Sequence, residues 1–542
     1  MKYSSSLIFL FVFLCLSSAP RAQDYKKEFE QLWKSGSIEK QAEAILKLGE
    51  GGDLNAAKLM MKCLLEIGQI QEKLEAQIEA KAKDASPLPE GNEKKLALQS
   101  EVLKLSEQIA QYEVIFDKAG EAIKKITDEK AINYLAQEAF KCPSINVKIA
   151  MMMAVGGANS PEVTDMLIKS IKDKSPQIRQ LGVEALKVRT PPEALDSLIK
   201  LVTDKAWQVR SAVAETLGKY KDARAIEPLI EQLQYEKGRL LTDFDEALSE
   251  LTGEAHEGNY TVWRLRLKSE KEKWIERLAS GNKEESSEPK SRFNQSLRGT
   301  VKYYSSGAAL GGGEPAKAGD PKGNFISRVL VPDSERLVYI IDISGSMNEE
   351  APAGFVKEAA SVVGTPMADK MTKMKVLLIR FVQELPKLQP HQNFGIIVYN
   401  HEVQWWKKEL IPATKPNIAQ AQDFVKNLKA TNLTNTFGAL EEAFNMAGRG
   451  SFDKNYNSGV DTIILISDGL PSTGKFIVQF GKNDKEELRE KTVTAFLDAV
   501  VRLNQMRRIK INCVGVPPIP MDDLLGGLAA DNGETYQYWE LK

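Results

Sequence analysis

YIIDISGSMNEE, Tyr339 to Glu350, decides the fold of the C-terminal part of this chain. It continues an apolar run, LVYIID, that starts at Leu337 and ends in an acid. A short, unbroken run of β-branched and aromatic residues fits a strand buried on both faces, as parallel sheets require. Three runs of the same kind follow: FGIIVYN from Phe394, TIILIS from Thr462 and IKINCVGV from Ile509. Helical patterns separate them, including TKMKVLLIRFVQELP from Thr372 and NTFGALEEAFNMA from Asn435. The alternation predicts a doubly wound, mostly parallel α/β domain.

Ligands of such sheets bind beyond the carboxyl ends of the strands. Asp342 and Asp468 both stand at such ends, in YIID and ILISD. Ser344 and Ser346 follow Asp342 at every second position. One reading is an ordinary Asp/Ser turn. The other is a set of hard oxygen ligands, suited to Mg²⁺, Mn²⁺ or Ca²⁺ rather than Zn²⁺.

The Asp-x-Ser-x-Ser after a strand, then LTNTFGAL, then ILISDGLPSTG, together resemble a von Willebrand factor A domain. The FGIIVYN strand and the closing LAADNGETYQYW resemble it too. The resemblance implies a metal-ion-dependent adhesion site with Asp342, Ser344, Ser346, Thr434 and Asp468 as metal ligands. It implies a divalent cation, Mg²⁺ first with Mn²⁺ or Ca²⁺ as alternatives, and a protein partner that supplies a carboxylate to it. In the family the hydroxyls tend to bind directly and the acids through water. Met347 to Met371 departs from the pattern, because the family's first helix follows the loop sooner. This insertion is either a cap beside the site or a plain helical extension.

Upstream, the period changes to that of helices. Leu98, Val102, Leu105, Ile109, Tyr112, Phe116, Ala119, Ile123 and Ile126 alternate steps of four and three, a coiled-coil seam. Leu64, Ile67, Gln71, Leu74 and Ile78 form a weaker one, and the turn-forming DASPLPEGNE lies between them. The expectation is an antiparallel helical hairpin that closes on itself or supports a homo-oligomer. Next, VKIAMMMAV from Val147, IRQLGVEAL from Ile178 and VRSAVAETL from Val209 recur at a fixed period. Asp173 and Asp204 keep the same offset ahead of the second and third units. A period in this range means stacked helical pairs, and the units resemble HEAT repeats.

Domain organisation follows. A signal peptide occupies 1–22, with Lys2 before the apolar Leu7 to Leu16 and small residues after it. A helical region with the hairpin covers 23–129, an α-solenoid 130–279, a flexible linker with one short strand 280–327, and the α/β domain 328–542. The chain is expected to be exported, to the periplasm or the cell surface, with no transmembrane segment after signal removal. Cys63, Cys142 and Cys513 make no ligand spacing and read as core residues, with one disulfide left open.

The net charge of −1 and the absence of a basic stripe argue against nucleic acid. His256, His391 and His401 pair with no Cys or His. Ser467 lacks a nucleophile elbow, and the glycine-rich ALGGGEPAKAG lacks the ending of a phosphate loop. Of Trp405 and Trp406, alternation puts only one toward the core; the other packs on an outer helix or anchors a partner. No catalytic constellation is visible. The expected function is a non-enzymatic, exported scaffold for adhesion or envelope assembly. Ro-type RNA-binding proteins and metal-dependent subunits of ATPase-driven machines are the alternatives by resemblance.

Overall fold

A computed structural model describes residues 24–85, 87–89, 92–280, 330, 332, 334–364, 367–368, 370–447, 459–469, 471–477, 486–504, 506–516, 523–532 and 536–538. The signal-peptide segment and most of the linker expected at 280–327 lie outside these residues. The chain forms two compact units that divide between Leu201 and Val202, inside the helical repeats. Among the described residues no helix is long and apolar enough to cross a membrane.

The first unit is helical. Helices Leu54–Ala85 and Glu93–Lys124 pack against each other, and of the connection between them residues 87–89 are described. Asn92 starts the second by accepting bonds from the amides of Lys94 and Lys95. A Lys81–Glu101 ion pair ties the two helices near the tip. The seam is buried only toward its root, at Ile109, Phe116, Ala119, Ile123 and Ile126, while Leu98, Val102 and Leu105 are half-buried. At the root a third helix, Ile38–Gly51, shares the packing. A Cβ on Gly49 would lie 2.7 Å from Ala122, so only glycine permits that approach. The hairpin is therefore built into a bundle over its buried half.

The repeat period becomes a repeated set of bonds. Helices begin at Ile145, Pro176 and Trp207. Asp173 accepts from the amide of Ser175 at 2.9 Å, and the Arg179 guanidinium returns to the Asp173 carbonyl at 2.9 Å. In the second unit Asp204 accepts from Ala206 at 2.8 Å, and Arg210 returns to the Asp204 carbonyl at 2.8 Å. Each Asp closes the turn before a helix, and each Arg on that helix locks it.

The second unit joins helices Trp207–Tyr220, Ile226–Leu233, Arg239–Thr252 and Tyr260–Ala279 to the sheet. The strands are β1 (Arg336–Asp342), β2 (Asn393–Tyr399), β3 (Val403–Trp405), β4 (Ile411–Pro412), β5 (Thr462–Ser467), β6 (Lys510–Gly515) and β7 (Tyr536–Tyr538). They run in the order β3-β2-β1-β5-β6-β7, with β4 also on β2. All pairings are parallel except those of β3 and β4. This is the predicted doubly wound, mostly parallel sheet. Leu337, Tyr339 and Ile341 face one layer, with helices Ala353–Val363, Lys373–Glu384 and Lys415–Lys426. Val338 and Ile340 face the other, with Thr436–Met446, Glu486–Asn504 and Asp523–Asp531. Trp405 and Trp406 pack on opposite layers, Trp406 stacked on Phe394 at 5.3 Å, so packing employs both. Cys63, Cys142 and Cys513 are free and buried.

At the starts of the strands, Asp461 binds the segment that enters β1. Its carboxylate accepts from the Ser334 hydroxyl and from the amides of Glu335 and Arg336 at 3.2 and 3.1 Å. The repeat helices dock at this same end. The Trp207 ring receives the guanidinium groups of both Arg239 and Arg336, each 5.4 Å from its centroid. Arg508 donates to Ser211 and pairs with Glu215 at 3.1 Å. Burial alone would push the Asp243 carboxyl up, but Arg239, Lys510 and Arg508 outweigh it and hold the group below its usual range.

Two outcomes are expected. Asp461→Ala leaves several buried donors unpaired and should lower the unfolding free energy by about 3 kcal/mol, read as a lower urea midpoint. The second concerns Glu254, whose two carboxylate oxygens accept from the Arg266 guanidinium at 2.7 and 2.6 Å. Arg266 first, against the opposing push of burial, holds Glu254 down at about 2. A depressed acid stabilises the fold above its unfolded value, about 4.3, and that contribution fades as pH falls through the folded one. Trp274 donates to the same carboxylate at 3.3 Å. Acidification from about pH 5 to about pH 2 should therefore produce a step in tryptophan fluorescence, which Glu254→Gln removes.

Candidate metal centre

The carboxyl ends of β1 and β5 deliver the first part of the site. The two strands are adjacent and parallel, with Ile341 beside Ile466. Asp342 is fully buried at the end of β1. Its Oδ2 accepts from the Ser467 hydroxyl at 2.6 Å and the Tyr399 hydroxyl at 3.3 Å. Its Oδ1 accepts from the amide of Ser344 at 2.8 Å. Burial first, and the charge of Asp468 second, push the Asp342 carboxyl up to about 6.

Beyond Asp342 the chain enters a 3₁₀ turn, Gly345–Asn348. The turn places the Ser344 and Ser346 hydroxyls 3.1 Å apart, and Ser346 donates to Asp468 Oδ1 at 2.8 Å. Thr434 joins through its backbone. Its amide donates to the Ser472 hydroxyl at 2.9 Å, and its carbonyl accepts from the amides of Ser472 and Thr473 at 2.9 and 3.1 Å. The loop that carries it is laced to the first loop, where the Gly345 amide donates to Asn432 and the Thr431 amide to Ile343. Asn435 then caps helix Thr436–Met446 by accepting from Gly438. Gly474, at φ +92°, passes so close that a Cβ would lie 2.2 Å from Asn435 Oδ1. Ser344, Ser346, Asp342 and Asp468 thus meet side chain to side chain or side chain to amide, whereas Thr434 is fixed through its backbone to Ser472 and Thr473.

The oxygens that Ser344, Ser346 and Asp468 bring together are of the hard kind that a small divalent ion takes. Neighbouring oxygens on an octahedral Mg²⁺ shell lie about 3 Å apart, given Mg–O near 2.1 Å. The Ser344–Ser346 and Ser346–Asp468 separations of 3.1 and 2.8 Å match that spacing. Two buried carboxylates at one strand edge also favour a cation. Among the described residues no group of three His, Cys, Asp or Glu forms a metal cluster, so the hydroxyls are essential to this candidate set.

Four participants were not foreseen. Ser467 and Tyr399 hold Asp342. Lys373, 2% exposed in its side chain, donates to Asp468 Oδ2 at 2.8 Å and to Glu349 Oε2 at 2.7 Å. Burial alone would lower the Lys373 ammonium, but its bonds to Asp468 and Glu349 outweigh this and hold it above its usual value. The insertion explains its position. Met347 to Met371 leaves the first loop, forms helix Ala353–Val363 and returns. On return, the Ala351 amide donates to the Met371 carbonyl at 2.7 Å and the Lys373 amide to the Glu349 carbonyl at 3.0 Å. One sequence signal existed: Lys373 opens a helix directly after its cap, Thr372, where the dipole disfavours a cation.

The parallel sheet with three oxygen-bearing loops at one end defines a von Willebrand factor type A fold. Residues 337–470 match the family described as von Willebrand factor type A domain, and residues 132–207 and 182–243 match HEAT repeats. The chain therefore joins HEAT repeats to a von Willebrand factor type A domain. It is similar to inter-alpha-trypsin inhibitor heavy chain H1 of Mesocricetus auratus, 31% identical over 153 residues, covering 28% of this chain and 14% of that one. Heavy chain H2 of Homo sapiens is 29% identical over 166 residues, covering 30% and 15%. The chain thus spans a minor part of these relatives' length. Among solved structures, von Willebrand factor type A from Catenulispora acidiphila aligns over 38% of this chain and 39% of that chain, with 15% identity and a TM-score of 0.24.

Ser467→Ala removes the shortest bond to the buried Asp342 carboxylate. It is expected to cost about 1–3 kcal/mol in chemical denaturation, with the circular dichroism spectrum unchanged.

Proposed function

We propose that this protein is a non-catalytic, exported binding scaffold whose A domain captures a carboxylate of a partner protein through a divalent cation. HEAT repeats beside an A domain support the coarser reading, a protein-interaction scaffold. The observation that carries the finer one is the continuous set of oxygens from Ser344 through Ser346 to Asp468, at 3.1 and 2.8 Å, backed by the buried Asp342.

Asp342, Ser344, Ser346, Thr434 and Asp468 would hold the ion, Mg²⁺ by preference. The ion supplies a Lewis-acidic position for an outside carboxylate. The chain's own residues do the rest. Ser467 and Tyr399 fix the Asp342 carboxylate, which fixes the Ser344 amide and so the turn that presents both serines. Neutral hydroxyls in direct contact leave the ion's charge largely unquenched, which favours an anionic ligand from outside.

Titration calorimetry with Mg²⁺ tests the reading. Wild type should bind the ion, and Asp342→Ala and Ser346→Ala should weaken it by at least roughly tenfold. Pull-down of an envelope or surface partner should occur in Mg²⁺ and fail in EDTA or with Asp342→Ala. Equal Mg²⁺ affinity in wild type and both variants would rule the reading out.

A further inference from the structure

A cation is already built into the site, the Lys373 ammonium. Lys373 is a fully buried ammonium whose two partners differ in kind. Asp468 is buried, with a side chain 1% exposed, whereas the Glu349 side chain is 63% exposed. Both bonds are short, 2.8 and 2.7 Å, so one charge is divided between a carboxylate of the oxygen set and one outside it. Asp468 is divided in turn: Oδ2 faces Lys373 and Oδ1 faces Ser346.

The charge count matters. Asp342 and Asp468 alone would match a divalent ion. With Lys373 against Asp468, the buried heart of the site carries one net negative charge instead of two. Water screens the exposed Glu349, so it offsets little of this. A divalent ion is then under-neutralised by one charge, which a single outside carboxylate makes up.

We propose that Lys373 is a specificity-determining residue of the A domain, its ammonium weakening the hold of the oxygen set on a divalent cation so that the cation is retained fully only with an outside carboxylate. Glu349 is the second seat of that ammonium. It takes a larger share of Lys373 as Asp468 turns to the ion. The inference rests on the metal reading above and names the residue that tunes it. It also gives the insertion a role, because the two-stranded return at Glu349–Ala351 and Met371–Lys373 is what brings the ammonium in.

Mn²⁺ titration of the full chain at neutral pH, followed by electron paramagnetic resonance of the free ion, separates the possibilities. Lys373→Met removes a like charge and should tighten Mn²⁺ binding by roughly tenfold. Glu349→Gln leaves the ammonium to Asp468 alone and should weaken Mn²⁺ binding by about threefold. A purely structural role for Lys373 predicts weaker binding in both variants, since each loosens the loops, and that result overturns the inference. If Lys373→Met does not fold, the neutral polar Lys373→Gln takes its place, and Mn²⁺ binding there no tighter than in wild type overturns the inference. Wild type that binds Mn²⁺ with Lys373→Met no tighter removes the inference and leaves the metal reading standing. Wild type that fails to bind Mn²⁺ removes both.

Discussion

A carboxylate buried at the end of a strand covered on both faces is the constraint around which the A domain is arranged. Asp342 has no exposure, and an isolated charge there would be too costly to keep. Its partners come from the two neighbouring strands and from its own loop: Tyr399 at the end of β2, Ser467 at the end of β5, and the Ser344 amide. The strand order β2-β1-β5 and the register that places Asp342 beside Tyr399 are therefore conditions for the site. A slip of one residue would turn Asp342 into a helical layer and Ile341 out of it. Two acids at one edge add a further demand, which Lys373 meets in part from inside the protein.

Much of this was legible in the chain because it depends on local pattern. LVYIID could only be a doubly covered strand, and its acid had to fall where parallel sheets place their ligands. The repeat period was legible because the same Asp and Arg make the same bonds each time. Lys373 was not, because its role depends on how the insertion folds back, and a helix-starting lysine looks like an ordinary surface residue in one dimension. The hairpin was half legible. Its seam was regular, but the helix that shares the buried half, Ile38–Gly51, lies well upstream, and periodicity does not reveal which neighbour covers a face.

The docking of the last repeat helices on the sheet domain was invisible for the same reason. Trp207, Arg239 and Arg336 are far apart in sequence and unremarkable in composition, yet both guanidinium groups meet the Trp207 ring. Arg508 and Lys510 extend the contact to the start of β6. Charge carries this contact, with Asp243 serving three cations at once.

The polarity of the parallel strands has a mechanical meaning. The repeat helices grip the beginnings of β1 and β6, and the oxygen-bearing loops stand at the ends of β1 and β5. A tether pulling on those loops against the repeat helices would load β1 along its axis. The rungs that join β1 to β2 and β5 would then share the tension together, in shear, instead of parting one after another as in an unzipped hairpin. The central strand, buried on both faces and bonded on both edges, is thus the load path between what the domain stands on and what it would hold.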